Sequence, residues 1–287
     1  MNDEKLERKI KRGYLIAAGV FLIALAIYDF FIDGWVENAM LIDSPRATDV
    51  LTLREIKQIS ESTDAIISRI FGFFASFFTV KYLGFATYGK CGGKGLLCAL
   101  PCFFVAFLNP PILALIFKNS SLDYSGGKMA EYALLLAAEC ICVAAFEETL
   151  FRGAVFLTLL ENRRDGGGCI LASAAGSAAI FAAAHLLNFF TSSPGAVLLQ
   201  MGYSFLLGGM CAYTLLCTKN LGFCIALHAI FNFCGTLTEK FGSGSWVTAP
   251  IIAFTCVLGV IVAAIVLRGF LKMKKEDCDC FFKNRGI

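Results

Sequence analysis

Long apolar runs separated by short polar breaks occupy most of the chain, near 13 to 32, 66 to 83, 95 to 117, 130 to 159, 169 to 190, 196 to 217, 221 to 238 and 247 to 271. A helix needs roughly 20 apolar residues to cross about 30 Å of hydrocarbon. The pattern therefore predicts an all-α, polytopic membrane protein of about eight transmembrane helices. Two runs carry further signals. In the third, Asn109-Pro110-Pro111 removes backbone donors and predicts a kink or break, which a bilayer tolerates only where neighbours or water satisfy the freed carbonyls. The fifth is almost all small residues, ASAAGSAAIFAAAH from Ala172 to His185, and predicts a central, buried helix that neighbouring backbones approach closely.

Between the first two runs, residues 33–65 form the one sizeable external segment. Within it Leu51, Leu53, Ile56 and Ile59 lie among charges, a rough amphipathic pattern suited to the membrane interface. The whole chain, 1–287, reads as a single membrane domain: a cytoplasmic flank at 1–12, the external loop at 33–65, a core at 130–238 and a cytoplasmic tail at 272–287.

Composition agrees with the pattern, since 57% of the residues are hydrophobic, 16% are charged and the mean hydropathy is +0.71. Charge adds orientation. Placing the N-terminus inside puts seventeen Lys and Arg on cytoplasmic flanks and seven outside, which fits an even number of spans with both termini cytoplasmic in a cell membrane. These basic residues are divided among flanks and form no single patch, so the formal net charge of +3 does not point to nucleic acid. Ten of the thirteen cysteines fall in spans and none in an external loop, which marks most of them as small apolar fillers.

Ionisable groups inside spans are costly and mark function by default. Glu147, Glu148 and Arg152 lie in the fourth span, His185 in the fifth, and His228 with Asn232 in the seventh; no other histidine is present. Helical spacing sorts them. Positions four apart share a face, so Glu148 and Arg152 neutralise each other as a supporting pair, and His228 and Asn232 present an imidazole and an amide together. Glu147 points about 100° away, without an in-helix partner, as a candidate general base. Hydrolysis needs a group to deprotonate water and donors for the developing oxyanion, and this set contains both.

Glu147-Glu148-x-x-x-Arg152, then Phe181-x-x-x-His185, then His228-x-x-x-Asn232, in that order on successive apolar segments, resembles the CPBP intramembrane proteases, which include type II CAAX prenyl endopeptidases and Abi proteins. The resemblance spans about 130–238. It implies a buried catalytic cavity in which Glu147 and His185 activate water, His228 and Asn232 stabilise the oxyanion, and Glu148 and Arg152 support them. It also allows a metalloprotease, with Glu147, His185 and His228 around a divalent metal such as zinc. The implied substrate is a membrane-associated peptide or protein, either prenylated or a bacteriocin-type leader, held in the lipid bilayer. Two other classes remain open: a non-catalytic immunity or scaffold protein, and a transport or haem-binding protein.

Depth poses a difficulty for this assembly. At 1.5 Å per residue, counting from the inner span ends puts His228, Glu147 and His185 at about 10, 20 and 25 Å. Tilt, or a fifth helix that begins in the cytoplasm before Cys169, would bring them level.

Overall fold

The computed structural model describes residues 53–161 and 166–282. The predicted span at 13–32 and the flank at 1–12 lie outside the described residues. The molecule is all-α apart from one short strand pairing. Among the described residues, six helices are long and apolar enough to cross a membrane, and a bent helix pair makes a seventh if counted as one span. A total of eight thus rests on a segment outside this description.

The first described helix, α1, is Leu53–Leu83. It corrects the boundary drawn at residue 65, because 53–65 are its opening turns and not loop. From Leu53 to Phe71 the sequence contains neither glycine nor proline, so nothing interrupts the helix. Its polar residues also find partners inside the bundle. Glu55 accepts from the Tyr132 hydroxyl at 3.0 Å, and Ser62 donates to Glu139 at 2.7 Å.

The next pair is α2, Gly93–Phe107, and α3, Pro110–Ile116, bent by 67°. The break falls at Asn109, as the two prolines predict. Its cost is offset across the bundle, because the Asn109 amide donates to the Phe231 carbonyl at 2.8 Å.

Helix α4, Gly126–Glu148, runs directly into a π-helical segment, Thr149–Phe156, and then α5, Leu157–Glu161. After the connection comes α6, Gly167–Ala184, continued by a 3₁₀ turn, His185–Phe190. Helix α6 is buried on one face only. Ser173, Ala174, Ser177 and Ala178 pack inward, whereas Ala172, Ala179, Ile180 and Ala183 are exposed. Small residues therefore bring it close to its neighbours without enclosing it.

Helix α7, Pro194–Thr218, and α8, Leu221–Phe241, are joined by Lys219 and Asn220. Lys219 takes a left-handed conformation, and the Asn220 side chain caps α8 by accepting from Gly222 N at 2.8 Å. The last long helix is α9, Ala249–Lys272. At one end of the bundle β1, Ser120–Leu122, pairs antiparallel with β2, Gly242–Gly244. Gly244 has φ +103°, and a methyl there would lie 2.4 Å from the Asn119 carbonyl oxygen, so this turn requires glycine.

At the opposite end, Ala86 N donates to the Phe281 carbonyl at 2.9 Å and Gly89 N to Lys219 O at 2.8 Å. Gly167 there packs against the end of α9. The segments after α1, α5, α7 and α9 thus share one side. Near this end lies the larger core, in which Phe156, Leu157, Leu160, Ile170, Leu215 and Leu221 are fully buried. A second cluster, built on Tyr132, Leu136 and Phe241, fills the other half.

Candidate active site

The site forms where α4 passes into the π segment, against α6 and α8. π-Helical turns inside α-helices are rare and recur at functional sites. Gly153 fits this turn against α1, since a methyl there would lie 2.9 Å from Val80 Cγ2. Helical spacing survives at its start: Arg152 Nη1 lies 3.0 Å from Glu148 Oε1, with both side chains fully buried.

Glycine and aromatic neighbours make room for that buried guanidinium. A Cβ at Gly208 of α7 would sit 2.8 Å from Arg152 Nη2 and 2.9 Å from the Ala178 methyl. On the other side, Arg152 stacks 4.5 Å from the centre of the Phe181 ring, a contact that favours a desolvated cation.

Glu148 has a second partner that helical spacing alone does not reveal. His228 is 2% exposed, and its Nδ1 lies 2.7 Å from Glu148 Oε1. Its Nε2 faces Glu147 Oε2 at 3.6 Å. The same imidazole thus spans both carboxylates. Glu147 retains partial exposure at 19% of its side chain, while Glu148 has none. One acid faces open space and the other holds the histidine.

His185 sits at the end of α6, where its Nδ1 lies 3.0 Å from the Phe181 carbonyl. A carbonyl only accepts, so Nδ1 carries the proton and the neutral ring keeps its lone pair on Nε2. Phe181 packs nearly edge-on against both imidazoles, with ring centres 5.1 Å from His185 and 5.8 Å from His228. That ring brings α6 and α8 to one level at the site. About 20 Å of α6 lies below Phe181 and about 10 Å of α8 lies below His228, so the depth mismatch reflects unequal helix ends.

Asn232 stands one turn beyond His228 and lines a largely apolar cavity of about 930 Å³. Asn109, Tyr203, Phe231 and Glu239 line it too, with walls from α2, α3, α6, α7, α8 and α9. Glu147, His185 and His228 are not among its lining residues, so of the four catalytic candidates only Asn232 borders it. Among the described residues no three His, Cys, Asp or Glu side chains converge as a metal site. In this arrangement Glu147, His185 and His228, the alternative metal ligands, do not form such a group.

Glu139 shares its helix with the site but belongs to a separate polar cluster. It pairs with Lys240 at 2.6 Å and accepts from Ser62, tying α1, α4 and α8 together. The Glu148–His228 bond, the Phe181 contacts and the Gly208 recess all depend on tertiary packing. Their only trace in the sequence is the Phe181-x-x-x-His185 spacing.

Residues 129–234 match the family model of type II CAAX prenyl endopeptidase, Rce1-like. This segment contains Glu147, Glu148, Arg152, Phe181, His185, His228 and Asn232, so the match covers every candidate residue while spanning about a third of the chain. Neither the curated proteins nor the solved structures give a match.

Proposed function

We propose, from that family-model match and the geometry around it, that the protein hydrolyses a peptide bond in a lipid-modified, membrane-associated substrate, using Glu147, His185, His228 and Asn232. The observation that carries this reading is His228 lodged between two carboxylates, one buried against Arg152 and one partly open. Glu147 takes a proton from the attacking water. His185, with its Nε2 lone pair available, orients that water. His228, fixed through Nδ1 by Glu148, donates from Nε2 to the oxyanion, and the Asn232 amide is the second donor.

Hydrogen-bond chemistry constrains this division of labour. Donation from Nε2 to the oxyanion while Nδ1 donates to Glu148 requires a proton on each ring nitrogen, so the proposed role belongs to the imidazolium form of His228. With Nδ1 and Nε2 both protonated, that ring is a donor at both ends. Glu148 and Arg152 then act as positioning residues and touch no substrate.

The apolar cavity suits a lipidated peptide, because its walls accept a hydrocarbon chain and Asn232 offers an amide at its edge. The substrate on this reading is a prenylated C-terminal peptide. The end of the bundle carrying the C-terminal tail faces the cytoplasm of a cell membrane, as the distribution of basic residues indicates. The test is direct. Purified protein in liposomes is incubated with a farnesylated peptide ending in a three-residue aliphatic tail, and products are read by mass spectrometry. Release of the tripeptide supports the reading, and an intact peptide with folded protein rejects it.

A further inference from the structure

Resting on the endopeptidase reading, we infer that Tyr203 is a substrate-binding residue of this site, its hydroxyl donating to a backbone carbonyl of the bound peptide. Tyr203 lies on α7, which supplies none of the residues so far given a catalytic role. Its ring packs 5.8 Å from Phe231, the neighbour of Asn232, and both Tyr203 and Asn232 line the cavity. Its phenol lies within electrostatic reach of Glu147 and Glu239.

The direction of the hydroxyl follows from its partners. Asn188, on the 3₁₀ turn that begins with His185, donates to Gln200 Oε1 at 2.8 Å. Gln200, one turn earlier on α7, bonds the Tyr203 oxygen with its NH₂ as the donor. An oxygen that accepts from Gln200 turns its own proton away from it. That proton is then available to an acceptor in the cavity that Tyr203 lines together with Asn232. The Asn188–Gln200 bond also ties α7 to the turn that begins with His185.

A peptide carbonyl is the ligand that fits. The neighbouring carboxylates, Glu147 and Glu239, repel an anion at this position. A neutral acceptor in an apolar cleft gains a hydrogen bond there at small desolvation cost. A donor to a carbonyl that does not react contributes equally to ground and transition states, and its removal raises KM without lowering kcat.

The experiment compares wild type, Tyr203→Phe and Gln200→Leu on the farnesylated peptide. Tyr203→Phe keeps the ring against Phe231 and removes only the hydroxyl. The expected result is a KM about tenfold higher with kcat unchanged and an unaltered unfolding temperature, as for one lost neutral hydrogen bond. Gln200→Leu, which frees the hydroxyl to rotate, should give a smaller rise in the same direction. Binding of the uncleaved peptide is measured in parallel in the Glu147→Gln background, by fluorescence anisotropy, where Tyr203→Phe should weaken affinity about tenfold. Wild-type kinetics and affinity in Tyr203→Phe overturn the inference while leaving the endopeptidase reading intact. A loss confined to kcat overturns it too. Failure of the wild type to cleave the peptide counts against the endopeptidase reading itself, and the anisotropy arm then decides on Tyr203 alone.

Discussion

Glu147 and Glu148 are adjacent and chemically identical, yet about 100° of helical rotation gives them different surroundings. Glu148 is sealed between Arg152 and His228, whereas Glu147 keeps an open edge. Replacing Arg152 by Met leaves Glu148 buried without its cation, and loss of one partner from a buried pair typically costs about 3–5 kcal/mol. Arg152→Met should therefore lower the thermal unfolding temperature sharply in detergent, with activity lost alongside. Gly208→Ala tests the recess more gently. The added methyl presses on Arg152 and Ala178, and overpacking of this kind costs about 1–3 kcal/mol. Its unfolding temperature should fall by less than that of Arg152→Met. The Glu148–Arg152 pairing was legible from four-residue spacing. The hold of Glu148 on His228 was not, because it joins residues eighty positions apart.

At the scale of elements, apolar runs located the described spans, and Asn109-Pro110-Pro111 located the bend. What periodicity could not supply was the π segment after Glu148 or the unequal helix ends beneath the site. A π turn leaves composition unchanged, and its position depends on how Gly153 meets Val80 on another helix. Nor did alternating charge in 53–65 reveal that α1 starts there, since Glu55 and Ser62 are satisfied by α4 and not by water. The bend carries its own prediction. Asn109→Ala removes the amide that donates to Phe231 O, next to Asn232. A loss of about 1 kcal/mol in stability should be measurable by chemical denaturation, together with a drop in turnover as α8 loses its brace.

For the molecule as a whole, the same side gathers the loop after α1, the α7–α8 turn and the C-terminal segment. Phe281, Phe282 and Cys278 of that segment are buried, so its described part, up to residue 282, docks on the bundle. Burial pushes the Cys278 thiol up to about 12, which leaves very little thiolate at neutral pH. A membrane-impermeant maleimide should label Cys91 in inside-out vesicles and spare Cys278 until the protein is unfolded; equal labelling of both would mean that the tail is undocked. Sequence reading gave the membrane class, the family pattern and the residues to watch. It could not show the cavity beside Asn232, which six helices line from separate parts of the chain.

The central claim is that Glu147 activates water within this buried cluster, and the turnover of Glu147→Gln tests it most directly. The substitution keeps shape and removes the base, and general-base catalysis is worth about 10²–10⁴-fold. On a peptide that the wild type cleaves, the account predicts a fall of about a thousandfold with unfolding temperature and peptide affinity retained. Turnover within a factor of two of wild type would contradict it.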